Sequence, residues 1–193
     1  MRQCFLFFLV VLFVSNTGSA QHNHNMGNGY ADSVNKGLIA KDTMKSSPKR
    51  IAMETIGNTH IHIEYGSPGV KGRMIWGGLI AYDQVWATGA HNATTVDFST
   101  AVTIGGKQVP KGKYALFTIP GKEEWIIIIN SRNKQHLADG YNQAEDIVRV
   151  KVKPVKKDKM VQRLTYLIEK NGKDAAIAIE WEQLRVVLPV KLL

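Results

Sequence analysis

The chain reads as an all-β protein: an antiparallel β-sandwich of jelly-roll or immunoglobulin-like type, with about ten short strands and little helix. Three observations predict this. Short β-branched and apolar runs recur between the turn signals Gly57-Asn58, Gly105-Gly106 and Asn171-Gly172. Ile126, Ile127, Ile128 and Ile129 are consecutive, the pattern of a strand buried on both faces and therefore central. No segment carries a convincing long helical period.

Residues 1–20 read as a secretory signal. Arg2 supplies the positive end, Phe5–Val14 is an unbroken apolar run, and Gly18-Ser19-Ala20 offers small residues for cleavage before Gln21. That run is too short for a bilayer, which needs about 20 apolar residues. The expectation is an exported protein without a transmembrane segment, periplasmic or extracellular after cleavage near Ala20. Cys4 precedes the apolar run, so it cannot be the acylated cysteine of a lipoprotein, and it leaves with the signal. The remaining chain has no cysteine, which excludes disulfides, thiolate metal sites and cysteine nucleophiles. Residues 21–47, polar and rich in Asn, Gly, Ser and Lys, read as a disordered lead with too little apolar surface to offset its ordering entropy. Residues 48–193 then form a single domain of ordinary size.

Within that domain Ile51–Ile56 and Thr59–Tyr65 make a hairpin across Gly57-Asn58. Thr94–Ser99 alternates, with Thr94, Val96 and Phe98 on one face and Thr95, Asp97 and Ser99 on the other. Val102–Ile104 and Lys107–Val109 flank Gly105-Gly106, and Lys113–Ile119 meets Trp125–Asn130 across a Pro-Gly loop. Ser131–Asp146 is a polar interruption, with a short helical turn at Gln143–Ile147. Val148–Lys153, Val161–Glu169, Ala175–Trp181 and Leu184–Lys191 complete the set.

The stretch Tyr65–Thr95 is different in kind. It holds six glycines and two of the four tryptophans. Glycine weakens strands, so this reads as an ordered loop layer, and such layers commonly carry binding sites. Trp76, Tyr82 and Trp86 offer flat apolar faces, Lys71 and Arg73 offer charge, and Thr88, His91 and Asn92 offer hydrogen bonds. Flat aromatics beside polar groups suit sugar rings, and arginine suits carboxylates. The other reading of this layer makes Trp76 and Trp86 a buried cap on one end of the sandwich.

The run Tyr65-x-x-Pro68, Lys71-Gly72-Arg73, Ile75-Trp76-Gly77, Trp86-x-Thr88-Gly89-Ala90 and Ala93-Thr94-Thr95 resembles the family catalogued as domain of unknown function 2911. So does Gly106-x-x-x-Pro110-x-Gly112-x-Tyr114-x-Leu116-Phe117-x-Ile119-Pro120-Gly121 with Trp125 and Asn130, and the likeness reaches Ile179-Glu180-Trp181-Glu182. The resemblance implies a secreted or envelope-associated bacterial β-domain of unestablished activity, and it carries no catalytic residues over. The chain departs from the family pattern at one place: His91-Asn92 stands where the family has Asn-Glu before Ala-Thr. If that carboxylate has a chemical role in the family, this chain lacks it.

Other constellations carry competing readings. His60, His62 and Glu64 alternate on one strand and so share a sheet face, where they could hold a metal ion with water in the fourth place. Strand alternation alone produces the same pattern, and no stoichiometric metal or other cofactor is expected. His22 and His24 could chelate copper or nickel. No G-x-S-x-G elbow and no nucleotide-type glycine loop is present. The formal net charge is +9, but export argues against nucleic acid as partner. The densest basic stretch, Arg149, Lys151 and Lys153 followed by Lys156, Lys157, Lys159 and Arg163, reads as edge-strand protection or as a contact for an anionic envelope surface. Three functions stay open: a non-enzymatic module binding a small or glycan-like ligand at residues 65–95, a metal-assisted hydrolase using His60, His62 and Glu64 or including His91, and a structural envelope component.

Overall fold

The computed structural model describes residues 29–193; the candidate signal, Cys4, Ala20, His22 and His24 lie outside the described residues. A short helix α1 (Gly29–Asn35) precedes ten strands: β1 (Lys49–Ile56), β2 (Thr59–Gly66), β3 (Thr94–Phe98), β4 (Val102–Ile104), β5 (Lys107–Val109), β6 (Gly112–Ile119), β7 (Trp125–Asn130), β8 (Asp146–Val152), β9 (Val155–Asn171) and β10 (Asp174–Leu192). A 3-10 turn at Gln143–Glu145 sits inside the segment where the sequence places a helical turn. The strands form two antiparallel sheets, a six-stranded one in the order β1-β2-β3-β6-β7-β8 and a four-stranded one in the order β5-β4-β10-β9. This is the all-β sandwich the sequence predicts. No described helix is long and apolar enough to cross a membrane.

Period-2 alternation builds the core. Ile61, Ile63 and Tyr65 of β2, Val96 and Phe98 of β3, and Tyr114 and Leu116 of β6 point inward and meet Ile177, Ile179, Val186 and Leu188 of β10. Ile127 and Ile129 join this core, while Ile128 faces the other way into a second apolar cluster with Ala87, Ala93, Ala115 and Phe117. Leu137, Ala138 and Tyr141 roof that second cluster. The loop 131–141 therefore covers the outer face of β6 and β7, which is why the isoleucine strand is buried on both sides.

Two boundaries differ from the sequence reading. Ala175–Trp181 and Leu184–Lys191 are one strand, bent at a bulge where the register to β9 shifts on either side of Glu182. Glu182 has φ 55°, so the chain turns locally without breaking the ladder. β9 begins at Val155, six residues earlier than the apolar pattern indicates, because Val155 and Lys156 pair with Arg185 and Leu184 of β10.

The larger correction concerns residues 29–47, which are packed and not a disordered lead. Ala31 and Val34 of α1 are buried, and Asn35 bonds both the N–H and the carbonyl of Arg163. Asp32 pairs with the buried Arg50, and Asp42 pairs with Arg163 at 2.8 Å. The Tyr30 hydroxyl donates to Asp42 and accepts from the Thr43 and Met44 N–H groups. Two strand arginines taken out of water demand acidic partners, and this segment supplies them. Its ordering rests on polar pairing, which an apolar count cannot register.

Burial pushes the Asp42 carboxyl up, but the Arg163 hydrogen bond and charge and the Tyr30 hydroxyl outweigh it, so its pKa lies below the ordinary value. A depressed carboxyl stabilises the fold above its unfolded pKa, about 3.9 for aspartate, and that contribution disappears as pH falls through the folded value. We expect the urea midpoint to decline between about pH 5 and pH 2, and Asp42→Asn to flatten that decline. An unchanged acid limb in the variant would show that Asp42 does not govern it.

Candidate functional site

The Tyr65–Thr95 layer does not form one exposed surface. Trp86 is 9% exposed and belongs to the main core. It stacks on Trp181 at 5.6 Å and meets Trp76 and Trp125 edge-on at 6.0 and 6.5 Å. Its indole N–H donates to the Gly89 carbonyl, and its backbone pairs with Thr118. All four tryptophans of the chain thus interlock between the sheets, which is the capping arrangement and not a ligand platform. Edge-to-face pairs of this kind are favourable beyond their buried area.

Thr88 is also interior. Its φ of 52° is rare for a β-branched residue. The strain is held by its hydroxyl bonds to the Trp86 carbonyl and the Thr118 hydroxyl, and by Thr94 and Tyr166, which donate to its carbonyl. Arg73 donates to the carbonyls of Gly69 and Val70 in its own loop. Tyr82 packs beneath Gly77, where an added Cβ would sit 2.9 Å from its ring. Lys71 is exposed on a separate cavity edged by Asp42 and Thr43. Six of the eight candidate residues therefore serve the loop architecture or lie apart.

The remaining two, His91 and Asn92, line a cleft of about 420 Å³. Its construction follows from strand register. Alternation sends Glu64 of β2, Thr95 of β3 and Lys113 of β6 to the outer face of the six-stranded sheet. Register sets Glu64 opposite Thr95, and Thr95 opposite Ala115. Loop 131–141 roofs only the β6–β7 side of that face, so a step remains beside β2 and β3. The Ala93 N–H donates to the Gln135 carbonyl, the Leu137 N–H to the His91 carbonyl, and the Asn133 amide to the Lys113 carbonyl. These bonds make the roof edge one wall of the cleft. His91 takes φ 70° to turn its carbonyl toward that wall. Gly66 allows the close approach opposite, since a Cβ there would fall 2.2 Å from the Ala90 carbonyl oxygen.

Charged side chains gather at the cleft. The Lys49 ammonium sits 2.7 Å from Glu64, and Lys113 Nζ lies 3.5 Å from its other oxygen. The Lys49 hydrogen bond, helped by the charges of Lys113, Lys49 and His62 and opposed by burial, holds the Glu64 carboxyl below its ordinary pKa. Lys134 adds a further ammonium to the lining. The Thr95 hydroxyl is buried in a residue 8% exposed and has no hydrogen-bond partner among the described residues; the Gln135 side-chain oxygen is likewise buried and unpartnered. Leaving such a group unpaired costs about 1–3 kcal/mol. Sequence reading named Glu64 as an alternative metal ligand and Thr95 as an outward strand position, and gave no sign of a shared site with Lys49, Lys113 or Gln135, because register alone gathers them.

The metal constellation does not assemble. His60 Nδ1 is 2.9 Å from the Thr55 hydroxyl, the His60 and His62 rings are 6.3 Å apart, and Glu64 is engaged by lysine. Among the described residues no three His, Cys, Asp or Glu side chains converge as a metal site. On the basic stretch, β8 is an edge strand, Arg149 pairs with Asp146 and Lys151 with Glu124, both at 2.8 Å, and Lys153 is exposed just past its end.

No curated protein and no solved structure matches the chain. The profile of one family, described as protein of unknown function (DUF2911), matches residues 47–190, nearly the whole sandwich with its tryptophan cluster and its cleft. The chain belongs to that family.

Proposed function

We propose that this protein is an exported, non-enzymatic binding module that holds a small polar ligand in the cleft between β2, β3 and the 133–137 wall. The observation that carries this reading is the Thr95 hydroxyl, buried on the cleft without a partner beside a carboxylate bracketed by lysines. Thr95 lines the cleft, and a group that reaches this hydroxyl from the cleft would supply the partner the chain does not. The volume falls within the roughly 300–1,000 Å³ of small-molecule sites. Relative to the sequence reading, the site moves from the aromatic part of the 65–95 layer to its ends, around Gly66 and His91–Thr95.

The test is a survey of polar fragments, neutral, cationic and anionic, by amide chemical shifts of the folded chain. Shifts should cluster on residues 64–66, 91–95, 113 and 133–135. Thr95→Val should weaken those fragments without destabilising the fold, since it replaces an unpaired hydroxyl, itself a cost of about 1–3 kcal/mol, by a methyl of similar size. Fragments that bind nowhere, or that gather at the cavity beside Lys71 and Asp42, would end the reading.

A further inference from the structure

Resting on that cleft reading, we infer that the ligand is a hydroxylated carboxylate, a sugar acid of hexuronate size. The groups lining the cleft set the chemistry. Lys49, Lys113 and Lys134 bring three ammonium groups against the single carboxylate of Glu64. The lining is therefore net cationic, and it calls for an anionic group on the ligand. It also presents acceptors: the Glu64 oxygens, held by Lys49 and Lys113, take donors from ligand hydroxyl groups once those lysines turn to the ligand's anionic group. The Thr95 hydroxyl can donate or accept.

Each simpler ligand leaves part of this set unanswered. A neutral sugar uses the acceptors but adds no charge to balance a lining of three lysines and one glutamate. A bare carboxylate meets the lysines and offers Glu64 no donor. A phosphate dianion sets a double charge against the Glu64 carboxylate. It is also best recognised by an arginine fork or a row of backbone N–H groups; among the described residues no arginine lines the cleft, although lysine can serve as a point charge. Lysine suits the exchange required here: it is a compact charge on a flexible stem, and Lys49 and Lys113, both partly exposed, can swing from Glu64 to an incoming carboxylate. Tyr65 offers no face for stacking, because its ring is buried and its hydroxyl accepts the Tyr166 N–H. Recognition is therefore by charge and hydrogen bonds.

Titration of the full folded chain with glucuronate, glucose, acetate and glucose 6-phosphate, read by calorimetry and by the amides of residues 91–95 and 133–135, tests this. Glucuronate should bind about tenfold more tightly than glucose, the value of one charge-assisted contact, and more tightly than acetate or the phosphate. Added salt should weaken glucuronate and leave glucose unchanged. The double variant Lys49→Met, Lys113→Met should erase the preference for glucuronate over glucose. Equal binding of glucose at the same amides would overturn the charge assignment while leaving the cleft in place. Tighter binding of glucose 6-phosphate would replace the carboxylate by a phosphate. Silence from all four probes would overturn the sugar-acid class, and the fragment survey then judges the cleft by itself.

Discussion

Replacing Trp86 by Ala will destabilise the protein by about 3–5 kcal/mol, the range for removing a large buried aromatic side chain. The indole fills the space between the sheets against Trp181, Trp76 and Trp125, so its removal opens a cavity that three rigid rings cannot easily close. Its N–H bond to Gly89 and the neighbouring strained Thr88 tie the same position to the start of the cleft wall. The urea midpoint of the variant at neutral pH reads the loss directly. Fragment binding at the cleft should survive wherever the variant remains folded, because Trp86 does not line it. Intact stability with abolished binding would put the tryptophan on the ligand and restore the aromatic part of the layer as the site.

Arg163→Met should cost a similar amount, about 3–5 kcal/mol, because it strands Asp42 without its counter-charge. Arg163 is fully buried, and its guanidinium also donates to the carbonyls of Met44, Ser46 and Ser67. Replacing both members of the pair, Arg163→Met with Asp42→Asn, should recover part of the loss, since no buried charge is then left alone. Limited proteolysis separates the local from the global effect: residues 29–47 should become cleavable in Arg163→Met well below the urea concentration that unfolds the sandwich. A loss under about 1 kcal/mol with the segment still protected would assign its ordering to the α1 contacts instead.

Ser47 and Lys49, where this segment runs into β1, line the cleft. Arg50 pairs with Asp32 of the docked helix, while its neighbour Lys49 reaches Glu64. Alternation thus connects segment docking on one face of β1 to the cleft on the other.

Strand positions, hairpin turns and the two-sided burial of the isoleucine strand were legible because each depends on neighbours in the chain. A period of two, a Gly-Asn or Gly-Gly turn and a run of branched residues are local chemistry, and the motif string that marks the family is local as well. The merged β10 was less legible, since a bulge at Glu182 looks in sequence like a break between two strands.

Whether an aromatic or a charge serves the interior or a ligand was decided by tertiary structure. Trp76 and Trp86 read equally well as platform or as core until two sheets close around them. Arg73 offers its guanidinium to a carboxylate in sequence and spends it on its own loop in the fold. Order in residues 29–47 depends on an arginine 121 positions away from Asp42. The cleft brings Lys49, Glu64, Thr95, Lys113 and Gln135 together only through cross-strand register and a loop that roofs half a sheet face. By itself the sequence determined the alternation, the turns and the family, because these are set within a few residues. Which outward side chains share one cavity was left to the packing of distant segments, where pairing across the sheet has no trace in local order.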